Sequence, residues 1–278
     1  MEPKRNNSST PLVSVVVTTK NSEETLNRCL ESVVNQTYKN RGQIEIITVD
    51  NHSTDATQDI ARRFGSLYVK GPERTAQANY GAKMSNGKYL YWIGSDWIIE
   101  PTLIEEAVSK SETNGYDAIA VHNSSDPTVS FWSQVRKFER DFYSTDPLVL
   151  TPSFFRRDVY MRIGGLDESL VACEEYEIHR RLIKGGYKIG RIHAKEVHLG
   201  EPKSLKEIVI KHYYYGKTLP AYVKSDSNDA VKRLSPIRIS FVHNLNRFGS
   251  DPRLLSGFLI YNFVRYASAG LGYLTAVG

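Results

Sequence analysis

Cysteine is nearly absent: Cys29 and Cys173 are the only two in 278 residues. No disulfide framework and no zinc spacing can be drawn from them, so a reducing compartment is expected. Long apolar runs are missing too. Between Leu254 and Val277 the only charge is Arg265, yet the uninterrupted stretch Leu254–Val264 is 11 residues, short of the roughly 20 that span a bilayer. Met1 to Thr10 is polar, which reads as a flexible N-terminus over 1–10 without a signal peptide. Excess positive charge is lacking from residues 1–200, where 25 Lys and Arg face 26 Asp and Glu. With no recognised nucleic-acid module either, that balance argues against a nucleic-acid partner. Repeats and low-complexity tracts are absent.

What is present is an alternation of β-branched runs and helical periodicity. Strands are expected at 12–18, 43–49, 66–70, 88–93 and near 116–121, with helices at 22–36, 54–64, 74–85, near 102–113 and near 128–142. Irregular sequence then runs to about 155, followed by a short helix 156–163, the turn Gly164-Gly165, a helix 174–185 and short strands over 187–199. Asn21 with Glu24 reads as a capping box, and Asn86-Gly87 as a helix end. Cys29 falls on the apolar face of the first helix and reads as a small buried hydrophobe. Such βαβ units build an α/β fold, a mostly parallel twisted sheet flanked by helices. Ligands of these sheets bind beyond the carboxyl ends of the strands. The loops after the first two strands therefore line one site, and Asp50 is expected to point its carboxylate into it.

Further candidates follow along the chain. Asp96, after the strand Lys88–Ile93, suits a hard Mg²⁺ or Mn²⁺ beside phosphate oxygens, although a turn or cap role is open to it as well. Arg74 opens a helix where a cation pairs with phosphate, and a solvated surface arginine is its alternative. Glu174 and Glu175 sit at a helix start, where the dipole favours acids, and a carboxylate there can serve as a general base. Glu177 and Arg181 are spaced as a surface ion pair. His198 alternates with apolar neighbours, as a structural histidine or as an imidazole completing a metal site.

Five blocks, in order, make this chain resemble the family 2 glycosyltransferases with the GT-A fold. They are Val15–Asn21, Val49–Asp55, Ile93–Asp96, Ile163–Glu168, and Glu174–Ile178 with Arg181-Leu182. Pro72–Gln77 with Asn79 and Gly81 resembles a subgroup acting on lipid-linked or membrane-presented acceptors. The resemblance implies a nucleotide-sugar donor held by Thr19, Lys20, Asn21, Asp50, Arg74, Ser95 and Asp96, with Thr19 and Asp50 at base and ribose. It implies Mg²⁺ or Mn²⁺ at Asp96 and His198, and Glu175 as catalytic base with Glu174 beside it. Three departures stand out: Gly94 replaces the first acid of Asp-x-Asp, Asn51 the second acid after the second strand, and Glu175 an aspartate.

The charge changes near Glu201-Pro202. Residues 201–278 hold 11 Lys and Arg against 5 Asp and Glu, with many aromatics. The expected organisation is a GT-A catalytic domain over 11–200 and a basic, aromatic, helical C-terminal region over 201–278. That region is expected to meet an anionic membrane surface through Lys206, Lys211, Lys217, Lys232, Arg233, Arg238, Arg247 and Arg253. Asn262, Arg265 and Ser268 form a narrow polar stripe on an interfacial or re-entrant helix; a true span and a helix packed on the catalytic domain are the alternatives. The reading is an inverting, metal-assisted glycosyltransferase attached peripherally to the cytoplasmic face of a membrane, with a polyprenyl phosphate or lipid-borne saccharide as acceptor. A transferase for a soluble or protein acceptor remains open, as does a catalytically inactive nucleotide- or glycan-binding homologue, motivated by Gly94 and Asn51.

Overall fold

The computed structural model describes residues 13–38, 43–144, 146, 148–236, 238, 240, 241 and 251–278. The expected flexible segment 1–10 and Arg247 lie outside the described residues. The strands are β1 (Val13–Thr19), β2 (Ile44–Asp50), β3 (Ser66–Val69), β4 (Tyr89–Gly94), β5 (Trp97–Ile99), β6 (Ala118–Ser125), β7 (Pro152–Arg156) and β8 (Ile189–His198). They form one sheet in the order β3-β2-β1-β4-β7-β6-β8-β5. The first four of that order pair in parallel. β7 then enters antiparallel to both β4 and β6. β1 is buried along its whole length because α-helices cover both faces, which is why its sequence is an unbroken β-branched run.

Three helices fasten the parallel half. α1 (Leu26–Val34) buries Leu26, Cys29, Leu30 and Val33 at the helical spacing read from the sequence. Each such aliphatic side chain contributes about 1.5–3 kcal/mol of burial. α2 (Thr57–Arg62) follows, and α3 (Arg74–Met84) packs on β1 and β2. Gly81 lets α3 approach β1, since a Cβ there would lie 2.4 Å from Val16 Cγ1. Next come α4 (Leu103–Asn114), α5 (Phe131–Phe142), α6 (Arg157–Arg162) and α7 (Glu174–Lys184).

Several local expectations are corrected. No capping box forms at Asn21: α1 begins after Thr25, and Asn21 adopts φ 46° and instead accepts a hydrogen bond from the Thr54 amide. The third helix ends at an extended Ser85, not through Asn86-Gly87. Residues 152–156, read as irregular, are the central strand β7, whose Phe154 and Phe155 are fully buried. The Glu177–Arg181 pair is no surface ornament. Glu177 is buried, and Arg181 Nη2 also donates 2.6 Å to the Gly165 carbonyl, clamping α7 to the Gly164-Gly165 turn.

Residues beyond 200 form α8 (Leu205–Ser225), α9 (Ser227–Leu234) and α10 (Pro252–Val277). α10 packs on α8 and on α5, with Phe258 and Tyr261 joining Val135 and Ile208 in a shared core. Backbones meet directly at two glycines: a Cβ at Gly216 would lie 2.1 Å from the Ala269 carbonyl oxygen, and one at Gly272 2.2 Å from that of Tyr213. Among the described residues, no helix is long and apolar enough to cross a membrane. The polar stripe on α10 faces inward: Ser268 is buried, and Arg265 Nη2 lies 3.0 Å from the buried Glu139 Oε1. Of the basic side chains expected at a surface, Arg233 is buried against Asp229 and the Leu148 carbonyl, and Lys211 and Arg238 line a cavity.

Two imidazoles give this packing a pH signature. Burial, then Arg233, pushes His179 down to about 4, and burial, then Arg265 and Arg136, pushes His212 down to about 3. Both stay neutral in the fold while the unfolded chain takes up protons below about 6.5. Stability therefore falls as pH drops from 6.5, by up to about 1.4 kcal/mol per pH unit for each histidine. Urea titrations of His212→Phe are expected to show a shallower loss than the parent between pH 6.5 and 4.5. Equal slopes would remove His212 from the account.

Candidate active site

A cavity of about 1090 Å³ opens beyond the carboxyl ends of β1 and β4. Thr19, Lys20, Arg74, Ser95, Asp96, Glu175 and His198 all line it, so most of the residues singled out from sequence converge. Its far wall comes from α8 and α10, with Lys211, Tyr215, Leu219, Ala269, Gly270 and Leu274.

On the donor side, Thr19 is buried and its Oγ1 has no partner, leaving a hydrogen-bonding group for a ligand. The strand ends are tied to α3 by Gln77, whose Nε2 donates 2.9 Å to the Thr19 carbonyl and also to that of Val49. Asn79 works similarly, receiving the Leu166 amide at 2.9 Å and the Tyr160 hydroxyl at 2.8 Å. The segment Pro72–Gly81 thus fastens the floor of the cavity. Ser95 is tied to Ser22 at 2.8 Å.

Three expected site residues are placed differently. Asp50 ends β2 but is fully buried: its Oδ2 accepts from the Ser53 amide at 2.9 Å and Gln58 Nε2 at 2.8 Å, and its Oδ1 from the Ser53 hydroxyl. Its carboxylate is spent on shaping its own loop and does not line the cavity. Asn21 likewise staples the first loop to the second through Ser53 and Thr54 and stays outside the lining. Glu174 is fully buried behind the wall, paired with Arg74, and burial pushes its carboxyl up. It is a support for Arg74, whereas Glu175 is 36 % exposed, lines the cavity and lies 3.5 Å from the same guanidinium.

Asp96 is the carboxylate presented at the end of β4, with its side chain 37 % exposed. His198 Nε2 lies 2.9 Å from its Oδ2, and His198 Nδ1 lies 3.0 Å from Glu201 Oε1. Burial raises the Asp96 carboxyl, but the His198 hydrogen bond and charge, with Lys211, hold it below the usual range. Trp97 braces this pair: its ring lies 4.5 Å from that of His198 and 5.3 Å from the Arg140 guanidinium. The departures in sequence acquire local reasons. A Cβ at Gly94 would meet Asp96 Oδ1 at 3.0 Å and Trp97 Cδ1 at 3.2 Å, so the tryptophan crowds the place of a first acid. Asn51 donates through Nδ2 to the Pro72 carbonyl, which a carboxylate cannot do.

Behind Asp96 runs a chain of buried charges that sequence reasoning missed. Glu201 pairs with Arg140 at 3.0 Å and accepts from Ser125 at 2.7 Å. Arg136 lies between Glu201 and Glu139, and Glu139 pairs with Arg265 of α10. Only the i, i+3 spacing of His198 and Glu201 hinted at any of this.

Among the described residues no cluster of three or more His, Cys, Asp or Glu side chains could hold a metal alone. Asp96 nonetheless fits Mg²⁺ or Mn²⁺ arriving on a diphosphate, because such ions keep waters and need only one or two protein carboxylates, and His198 could join it by giving up its 2.9 Å contact with Asp96 Oδ2.

Comparison with known proteins places this geometry. The sequence description "Glycosyl transferase family 2" matches residues 14–165. Glycosyltransferase AglE of Haloferax volcanii is 25 % identical over 201 residues, covering 67 % of this chain and 66 % of that protein, just under two-thirds of its length. The mannosyltransferase PcManGT of Pyrobaculum calidifontis, solved with GDP-Man and Mn²⁺, superposes with a TM-score of 0.65 at 14 % identity, over 96 % of this chain and 87 % of that one. Staphylococcus aureus TarS 1–349 with UDP-GlcNAc gives 0.53 at 14 % identity, over 95 % and 90 %. These likenesses establish the GT-A architecture.

Proposed function

The chain belongs to glycosyl transferase family 2, and from that premise we propose that it transfers a sugar from a nucleotide-sugar donor to a lipid-linked acceptor, with inversion and with Mg²⁺ or Mn²⁺, on a membrane surface. The acceptor is a polyprenyl phosphate or a lipid-borne saccharide. The observation that carries the lipid-linked reading is the far wall of the cavity. Leu274 lines the cavity that contains Asp96 and Glu175, and is itself 64 % exposed. An exposed apolar side chain at the cavity wall supports a lipid-borne acceptor. Around it, Phe263 is 76 % exposed and Leu259, Leu271 and Ile210 are exposed as well, an apolar face for an interfacial helix pair. Exposed Lys206, Lys217 and Arg253 can meet anionic headgroups, at about 1 kcal/mol each near the surface. The cytoplasmic face is the side on which this reading sets the protein.

In the reaction, the bond between the anomeric carbon and the diphosphate breaks and its electron pair stays on the diphosphate. The acceptor oxygen bonds to the opposite side of that carbon, so the configuration inverts. A divalent ion, when bound with Asp96 and His198, supplies positive charge at the leaving oxygens. Thr19 and Ser95 line the donor side, and Arg74, held by Glu174, adds a fixed cation. A hydroxyl acceptor must also lose a proton, and Glu175 lines the cavity where it can take it.

Glu175→Ala reads out the acceptor. A phosphate monoester, with a second pKa of about 6, already attacks as an anion, so transfer to polyprenyl phosphate is expected to survive within about threefold. Transfer to a hydroxyl is expected to fall about 10²- to 10⁴-fold. Flotation with anionic vesicles tests the membrane reading: the protein is expected to float, and to stop floating after Phe263→Asp with Leu259→Asp. A protein that never floats is a transferase for a soluble or protein acceptor.

A further inference from the structure

Among the described residues, Lys211 and Arg238 line the cavity without a carboxylate partner, unlike most of the cations around them. Arg74 is paired with Glu174 and Glu175, Arg140 with Glu201, Arg265 with Glu139, and Arg233 with Asp229. Lys211 lines the cavity from α8, and the carboxylates whose charge acts on it are Glu201 and Asp96. Both are engaged elsewhere: Glu201 by Arg140, His198 and Ser125, and Asp96 by His198. Burial, opposed by Glu201 and Asp96 and aided by Arg140 and Arg136, holds its ammonium below the usual lysine range. A half-buried ammonium without an ion-pair partner is free to take a ligand anion in the cavity.

The position matters because of what β4 lacks. With Gly94 at the first acid position, β4 offers the cavity one carboxylate, and a metal held there would be anchored by Asp96 and His198 alone. Charge growing on a leaving diphosphate then calls for a further cation across the cavity. We propose that the Lys211 ammonium binds the diphosphate of the donor and stabilises it as it leaves, a role that rests on the donor reading above. Lys211 keeps its proton throughout, and it makes α8 part of the catalytic wall as well as of the membrane-facing surface. The chain thereby replaces a second metal-binding carboxylate with a direct positive contact to phosphate.

The test is calorimetric binding to the full chain, using uridine and guanosine mono- and diphosphates, each with Mn²⁺ and with EDTA. For the base that binds, Lys211→Met is expected to weaken the diphosphate about 10- to 100-fold in both conditions. The monophosphate, lacking the β-phosphate, is expected to change less than threefold. Lys211→Arg is expected to restore most of the affinity, and both variants to melt within a few degrees of the parent, since no ion pair is removed. Unchanged diphosphate affinity in Lys211→Met overturns the proposal. So does equal weakening of mono- and diphosphate, or a raised KM for the acceptor with donor binding intact. A parent chain that binds neither diphosphate fails at the donor reading instead, which separates the two.

Discussion

Asp96→Asn is expected to cut sugar transfer roughly 10²- to 10³-fold, the scale on which one electrostatic partner of a transition state acts, while leaving the melting temperature within a few degrees. Asp96 is the carboxylate that β4 offers to the cavity, and Gly94 supplies no second one. Its side chain is 37 % exposed and packs into no core cluster, so the fold does not depend on it. Removing its charge leaves His198, Lys211 and Arg74 in place, and the cavity becomes more positive. Binding of a nucleoside diphosphate in EDTA is therefore expected to hold or tighten, while the gain on adding Mn²⁺ disappears. That pairing separates lost metal charge from general damage. Gly200→Ala offers an indirect version, because its Cβ would lie 2.3 Å from Asp96 Oδ2 and displace the carboxylate from His198.

Glu139→Gln is expected to be the most destabilising single change, at about 3–5 kcal/mol, the cost of leaving a buried charge unpaired. Glu139 is fully buried; burial pushes its carboxyl up, but Arg136 and Arg265 overcome that and hold it at about 2. Tyr143 donates to it at 2.5 Å. Without the carboxylate, two guanidiniums face each other across α5 and α10. The denaturant midpoint is expected to fall at constant m, and transfer to fall with it, because Arg265 fixes the α10 wall of the cavity. Replacing Glu139 and Arg265 together with methionine is expected to recover much of the loss, since well-packed apolar side chains often match a buried pair. A Glu139→Gln protein as stable as the parent would show that α10 is held by apolar contacts alone.

The parallel half of the fold was legible because its signals are local. β-branched runs marked β1 and β2, and the spacing of Leu26, Cys29, Leu30 and Val33 marked the buried face of α1. β7 escaped notice because five residues beginning at Pro152 carry too little periodicity, and its place in the sheet depends on distant partners. At the site, Thr19, Arg74, Asp96, Glu175 and His198 were readable because each sits at or just beyond a strand end, or at a helix start, in an ordered set of motifs. Asp50 was misjudged in direction: sequence located it at the carboxyl end of β2 but could not show that Ser53 and Gln58 claim its oxygens. Arg140, Glu201 and Lys211 were unreadable as site residues, since only tertiary packing brings α5 and α8 beside β8. The same blindness made a membrane stripe of Arg265, which in fact answers a glutamate 126 positions away.

The central claim is that this cavity holds a nucleoside diphosphate with the help of a divalent ion at Asp96. Thermal melting of the full chain with uridine or guanosine diphosphate, with and without Mn²⁺, tests it most directly. Ligand at about 100 times its dissociation constant stabilises the fold by about 2.7 kcal/mol. One of the two diphosphates is expected to raise the melting temperature, to raise it further with Mn²⁺, and to lose only the second increment in Asp96→Asn. No shift with either nucleotide, or the same Mn²⁺ increment in Asp96→Asn, would contradict the account.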